Sequence, residues 1–264
     1  MSADKPLLEE NIIILDDAGL YRRAVRYWKS TYGRTRGVAQ NTAHNLCESR
    51  CFEWGGQLWN FMYVKEANAH PMGYLTVGHR ATLGIVRSVL AIGSAYSLDG
   101  STAGAGQLRW VEKAVAVSYP ALFENRHPDD SVEQGATVYD ALSPASIAMD
   151  GLLPAGTVDV IQRRVARSIT VGYTRHPVEN RSLRPWHREQ LERLGATGVS
   201  HWSELPCGVF EGAVLLPATA SVLVTVVDRG AFRVPERGRK FTVSKYQEDW
   251  ETVRLLIDGL VAGA

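Results

Sequence analysis

Apolar residues recur along this chain mostly in steps of three and four. "AGLYRRAVRYWKSTYG" places Leu20, Ala24, Tyr27 and Thr31 on one helical face and ends at Gly33, a plausible stop. The longest such pattern runs from Val38 to Val64, where Ala43, Cys47, Cys51, Trp54, Leu58 and Met62 step by four, four, three, four and four. That stripe predicts an amphipathic helix broken at Gly55-Gly56. Thr76–Leu98 reads as a buried helix, Leu108–Leu122 as another, and Thr157–Val171 as a third, capped by Thr157. "SLRPWHREQLERLG" predicts a short helix bounded by Ser182 and Gly195.

Three stretches break this rhythm after Pro206. "GVFEGAVLL" and "SVLVTVV" are rich in β-branched residues, and "RKFTVSKY" alternates, so they predict strands of a small antiparallel sheet. "QEDWETVRLLIDGLV" closes the chain as a helix with Trp250, Val253, Ile257 and Leu260 on one face. "NIIIL", Asn11 to Leu15, is a short apolar run, either a buried strand or a docking segment. His127–Gly156 is acidic and proline-broken, which predicts loops with one short helix. The expected class is therefore α+β, mostly α-helical, with a small antiparallel sheet near the C-terminus and a C-terminal helix. One domain over 1–264 is expected; a boundary near Gly198 would divide it into a helical part, 1–198, and a strand-rich part, 199–264.

Composition adds little to this picture. An apolar fraction of 45% and a charged fraction of 22% suit a globular protein with a real core. No window is long and apolar enough to span a membrane, and the polar, acidic N-terminus does not read as a secretory signal. Three cysteines at uneven spacing predict a reducing, cytoplasmic or otherwise intracellular setting rather than a disulfide framework.

Charge is more informative than its sum of +1. Arg22, Arg23, Arg26, Lys29, Arg34 and Arg36 interleave with Tyr21, Tyr27, Trp28 and Tyr32. Arg163, Arg164 and Arg167 form a second basic cluster, and Arg237, Arg239 and Lys240 belong to a third. Cations that neutralise phosphates release counterions, and aromatic faces stack on unpaired bases. Glu124–Asp159, by contrast, is acidic, so complementary surfaces between copies are conceivable. These features point first to a self-assembling nucleic-acid-binding structural protein, coat or nucleocapsid-like, on RNA rather than DNA. Its partners would be RNA and further copies of itself, with a virion as one location.

The chemical candidates are sparser. No G-x-S-x-G, Walker or dinucleotide fingerprint is present, and no cofactor is expected. "GSTAGAG" before Leu108 reads as a surface loop in preference to a phosphate cradle. "HNLCESRC" offers His44, Cys47 and Cys51 as metal ligands. On a helix, positions i and i+7 lie about 10 Å apart along the axis, too far to share one ion. Core packing of the two cysteines is the preferred reading, and a zinc-stabilised interaction domain the weaker one. "ILDDAG" puts Asp16 and Asp17 directly after an apolar run, either as a helix cap or as site carboxylates. Together with His176, Glu179 and His187 they support the alternative function, an enzyme acting on a phosphorylated or nucleotide-like substrate.

Overall fold

The computed structural model describes residues 8–33, 47–65, 69–99, 101, 103–117, 136–140, 153–174, 198–231 and 243–264. "NIIIL" lies in strand β1, Glu10–Leu15, every residue of which is buried. A strand flanked by parallel neighbours and covered on both faces needs no polar alternation. Here β3 (Gln57–Val64) and β4 (Val86–Ser97) flank it, both parallel to it. The chain passes from β1 through helix α1, Ala18–Thr31, to one side, then from β3 through α2, Ala69–Thr82, to the other.

Beyond β4 the sheet closes on itself. β4 pairs with β9 (Ser221–Ala231), β9 with β5 (Leu108–Val117), and β5 with β7 (Ala166–Thr174). β7 then pairs with β8 (Val199–Trp202), and β8 returns to β4. β1, β3 and β2 (Cys47–Trp54) extend the ring on one side, and β6 (Ala136–Asp140) hangs from β5. The result is one nine-stranded mixed sheet. The helices among the described residues are α1, α2, α3 (Ala155–Arg164), α4 (Leu205–Ala213) and α5 (Val243–Gly263). A mostly helical α+β chain with a small C-terminal antiparallel sheet is thus the wrong class: among the described residues strands recur from Glu10 to Ala231 and form the centre of the fold.

The corrections share a cause. The supposed helix over Val38–Val64 contains the hairpin β2–β3, with residues 38–46 outside the described set. Gly55 and Gly56 have φ of 61° and 77°, the left-handed pair that a tight hairpin turn demands. Thr76–Leu98 holds the end of α2 and then β4, and Leu108–Val117 is β5. Thr157–Val171 divides into α3, whose N-cap is Pro154, and β7. The predicted strand "GVFEGAVLL" instead lies largely in α4, and Val243–Tyr246 belong to α5. β6 lies in the stretch read as loops, and the proposed helix near Ser182–Gly195 falls outside the described residues. α1, β9 and α5 stand as predicted.

Two apolar cores lie on the two faces of the sheet. Ile13, Leu15, Trp59 and Phe61 meet α1, α3 and α5 on one face; Ile12, Ile14, Met62 and Val224 meet α2 and α4 on the other. α2 and α4 approach closely because glycines line the contact. Gly208 admits the backbone carbonyl of His70, and Gly212 lies against Val77 and Gly78. At the amino end of β1, buried Glu10 accepts from Asn60 Nδ2 at 3.0 Å and Arg80 at 3.1 Å.

α1 and α5 are joined by a polar seam. The Tyr27 hydroxyl donates to both carboxylate oxygens of Asp258 (2.7 and 2.8 Å), and the Tyr32 hydroxyl donates to one of them at 2.6 Å. Burial first, and then the Asp258 hydrogen bonds and charge, raise both phenol pKa values above their ordinary value. A pKa raised by folding means that the neutral phenol stabilises the fold. That contribution is complete below the unfolded value of about 10 and is lost as pH rises beyond it. Urea midpoints are therefore expected to hold up to about pH 10 and to fall as pH rises beyond it, with a smaller fall in Tyr32→Phe. Equal slopes for the two proteins would remove the seam as the cause.

Candidate active site

Polar side chains gather toward the carboxyl ends of β1, β4 and β9. Asp16 follows directly from the apolar run of β1. Its Oδ2 accepts the Ser94 backbone N–H at 2.6 Å, and its Oδ1 accepts the Ser94 hydroxyl at 3.1 Å. Asp17 has a different task. Its Oδ1 caps α1 by accepting the Leu20 N–H at 2.8 Å, and its Oδ2 lies 3.3 Å from the Arg229 guanidinium. Arg229 Nε also reaches the Ser94 hydroxyl at 3.3 Å.

Gly93 lets these parts converge. A side chain there would press on Leu205 at the start of α4, on Asp16 Oδ2 and on Ser203 Oγ, all within 3.5 Å of its Cβ. Ser203 donates its hydroxyl to the Ser94 carbonyl at 2.7 Å. Residues from β1, β4, β9 and the entrance to α4 are thereby held to one another.

Asp228, near the end of β9, is only 2% exposed. Its Oδ2 receives Arg109 Nε at 2.7 Å and lies 3.2 Å from His201 Nε2; its Oδ1 accepts the Gly230 N–H at 2.7 Å. Burial pushes its pKa up, but the His201 hydrogen bond, the Gly230 amide, the His201 charge and the Arg109 hydrogen bond together bring it below the ordinary value. An ionised carboxylate only accepts, so His201 Nε2 carries the proton. In the neutral ring Nδ1 then accepts from the Ser200 hydroxyl, 2.8 Å away.

The glycine-rich loop belongs to this cluster. The Gly106 N–H donates to the Asp228 carbonyl at 2.7 Å, and the Asp228 N–H donates to the Gln107 carbonyl at 2.9 Å. Gly104 crosses the Arg109–Asp228 pair so closely that a Cβ would overlap the guanidinium. Gly104 and Gly106 of "GSTAGAG" are therefore tied to the site and not only to a surface loop.

Of the residues chosen from the sequence, Asp16 and Asp17 stand in this cluster, while His176, Glu179 and His187 lie outside the described residues. Ser94, Arg109, His201, Ser203, Asp228 and Arg229 were not foreseen. One signal was available: "SVLVTVVD" ends an apolar strand on a carboxylate, as "NIIILD" does. Cys47 and Cys51 lie on strand β2, not on a helix, paired with Val64 and Asn60. Burial, followed by neighbouring carboxylates, pushes both thiols up to about 11. Among the described residues no three His, Cys, Asp or Glu side chains are placed to hold a metal ion, and His44 lies outside them.

The basic-aromatic reading requires correction. Trp28 is 0% exposed and packs against Trp59 and Phe61, with ring centroids 5.0 and 5.2 Å away. Tyr21 is buried too, Tyr27 and Tyr32 serve the α5 seam, and Arg23 lies 6.0 Å from the Trp250 ring centroid. These aromatic faces are not available to bases. Arg22, Arg26, Lys29, Arg163 and Arg164 are exposed, as solvated helix faces commonly are. Arg34, Arg36, Arg237, Arg239 and Lys240 lie outside the described residues, as does the Arg167 side chain.

No family model and no curated protein matches the sequence. Solved structures do match the fold. Native futalosine hydrolase of Helicobacter pylori aligns with a TM-score of 0.60 at 11% identity, over 95% of this chain and 98% of that one. The 5'-methylthioadenosine/S-adenosylhomocysteine nucleosidase of H. pylori aligns with a TM-score of 0.59 at 12% identity, over 96% and 99%. The corresponding nucleosidase of S. pneumoniae gives 0.56 at 12%, over 95% and 99%. The likeness spans nearly the whole of each chain and shows a shared fold. It overturns the coat or nucleocapsid-like reading, with its RNA and self-assembly partners and its virion location, because the similar structures are nucleosidases and not capsid proteins.

Proposed function

We propose that this protein is an enzyme that binds a nucleoside-like small molecule and hydrolyses its N-glycosidic bond. The observation that carries the reading is a pair of polar networks, Asp16–Ser94–Arg229 at the carboxyl ends of β1, β4 and β9 and Asp228–His201–Arg109 across β9, β8 and β5, anchored on the successive β9 residues 228 and 229. The sharing of this fold with proteins named as nucleosidases supports it. In the proposed step, water adds to the anomeric carbon while the C–N bond breaks and its electron pair leaves with the base. The Asp16 carboxylate orients the water and takes its proton, with Ser94 fixing the aspartate's two oxygens. No described helix is long and apolar enough to cross a membrane, and three free cysteines accord with an intracellular setting.

The test is incubation with a panel of nucleosides, reading free base by chromatography and melting temperature in parallel. Release of a base is expected, with a rise in melting temperature for the substrate or its unreactive analogue. Ligand at a hundred times its Kd stabilises by about 2.7 kcal/mol. No base release and no shift with any nucleoside would end this reading.

A further inference from the structure

A carboxylate takes a proton from water fastest when its oxygens are held in one orientation, and Ser94 holds both oxygens of Asp16. The Ser94 hydroxyl, however, is a rotor with a single proton, which can turn toward any acceptor. Arg229 fixes its direction. A guanidinium only donates, so the Ser94 oxygen accepts from Arg229 Nε at 3.3 Å and turns its own proton to Asp16 Oδ1 at 3.1 Å. The other arm of the guanidinium is anchored: Nη2 donates to Asp17 Oδ2 at 3.3 Å, while Asp17 Oδ1 stays on the α1 cap.

The backbone of β9 is shaped to bring the guanidinium there. Asp228 pairs with Ala95 of β4 and Ala231 with Ser97, so two residues of β9, Arg229 and Gly230, stand against Tyr96 alone. A bulge of this kind re-aims a side chain. Gly230 supplies the left-handed backbone, with φ of 73°, and Asp228 Oδ1 fastens it by accepting the Gly230 N–H at 2.7 Å. Asp228 thus turns toward Arg109 and His201, and the next residue toward Asp17 and Ser94. Resting on the nucleoside reading above, we infer that Arg229 is a positioning residue for hydrolysis. It acts on Asp16 through the Ser94 hydroxyl, and the Gly230 bulge sets it in place. With that proton fixed, the Asp16 oxygens keep one aim at the attacking water; a displacement of about 1 Å costs on the order of 10²-fold in rate.

The experiment measures kcat and KM of the full chain on the nucleoside panel, adenosine, inosine and 5'-methylthioadenosine included. Arg229→Ala is expected to lower kcat by about 10–10²-fold with KM hardly changed. Added methylguanidinium should restore part of the loss and methylammonium should not, because only the planar fork meets the Ser94 and Asp17 oxygens at once. In a Ser94→Ala background the loss should all but vanish, since residues that act in one relay are not additive. Undiminished kcat in Arg229→Ala, a rise in KM alone, or the same fold-loss with and without the Ser94 hydroxyl would overturn the inference while leaving the nucleoside reading intact. A wild-type protein that releases no base from any nucleoside of the panel would overturn both. If Arg229→Ala does not fold, Ser94→Ala alone decides: it keeps the Arg229–Asp17 pair, and an undiminished kcat would end the relay.

Discussion

Asp16→Asn is expected to lower kcat/KM for nucleoside hydrolysis by about 10²–10⁴-fold, the usual loss when a positioned base is removed. The substitution is close to isosteric. The amide oxygen can still accept the Ser94 N–H that now meets Oδ2 at 2.6 Å, and the amide nitrogen can face the Ser94 hydroxyl, which accepts as readily as it donates. Position is thus kept and basicity removed, so melting temperature should hardly move. Asp17→Ala makes the contrast. It deletes the α1 cap and should cost about 1 kcal/mol of stability, because Oδ1 holds the Leu20 N–H. Steady-state kinetics and thermal melts of both variants separate the two roles. An Asp16→Asn enzyme with undiminished kcat/KM would remove Asp16 from the chemistry.

The second large effect concerns stability. Trp28→Ala should destabilise the fold by about 3–5 kcal/mol, since the ring is fully enclosed by Trp59, Phe61, Phe52 and Tyr32. For a chain of this size that lowers the melting temperature by roughly 6–20 °C. Alanine at Arg22, Arg26 or Lys29, all exposed, should stay within about 0.5 kcal/mol. A chemical-denaturation series measures all four. A Trp28→Ala protein with wild-type stability would contradict the buried placement and return the ring to the surface.

How much of this was legible in the sequence depends on arithmetic as well as chemistry. A step of four satisfies a helix approximately and a strand's period of two without remainder. Ala43, Cys47 and Cys51 therefore fit both, and only the odd step to Trp54 tells them apart. Trp54 is the residue of that stripe that lands outside, at 40% exposure. Gly55-Gly56 was the deciding local signal, and reading it as a kink instead of a hairpin turn reversed the assignment. β4 and β5 were lost for a different reason. Strands covered on both faces show continuous apolar character, which sequence periodicity cannot distinguish from a buried helix. The site was legible at Asp16 and Asp17 because they follow one short apolar run directly. Arg109, His201 and Asp228 are separated by long stretches of chain and meet only because the ring closes, which no local pattern encodes.

That closure also settles where another chain can attach. Among the described residues only β2 and β6 terminate the strand order, and the other seven strands each pair with a neighbour on both sides. The open rim of β2 displays Glu48, Arg50 and Glu53 to solvent, charges of mixed sign that a neighbouring strand would have to desolvate. Fibre-like stacking through this rim is disfavoured even at high protein concentration. Replacing Glu48, Arg50 and Glu53 by threonine would turn the same rim into a template for aggregation, visible as thioflavin-positive turbidity under conditions in which the parent protein stays clear.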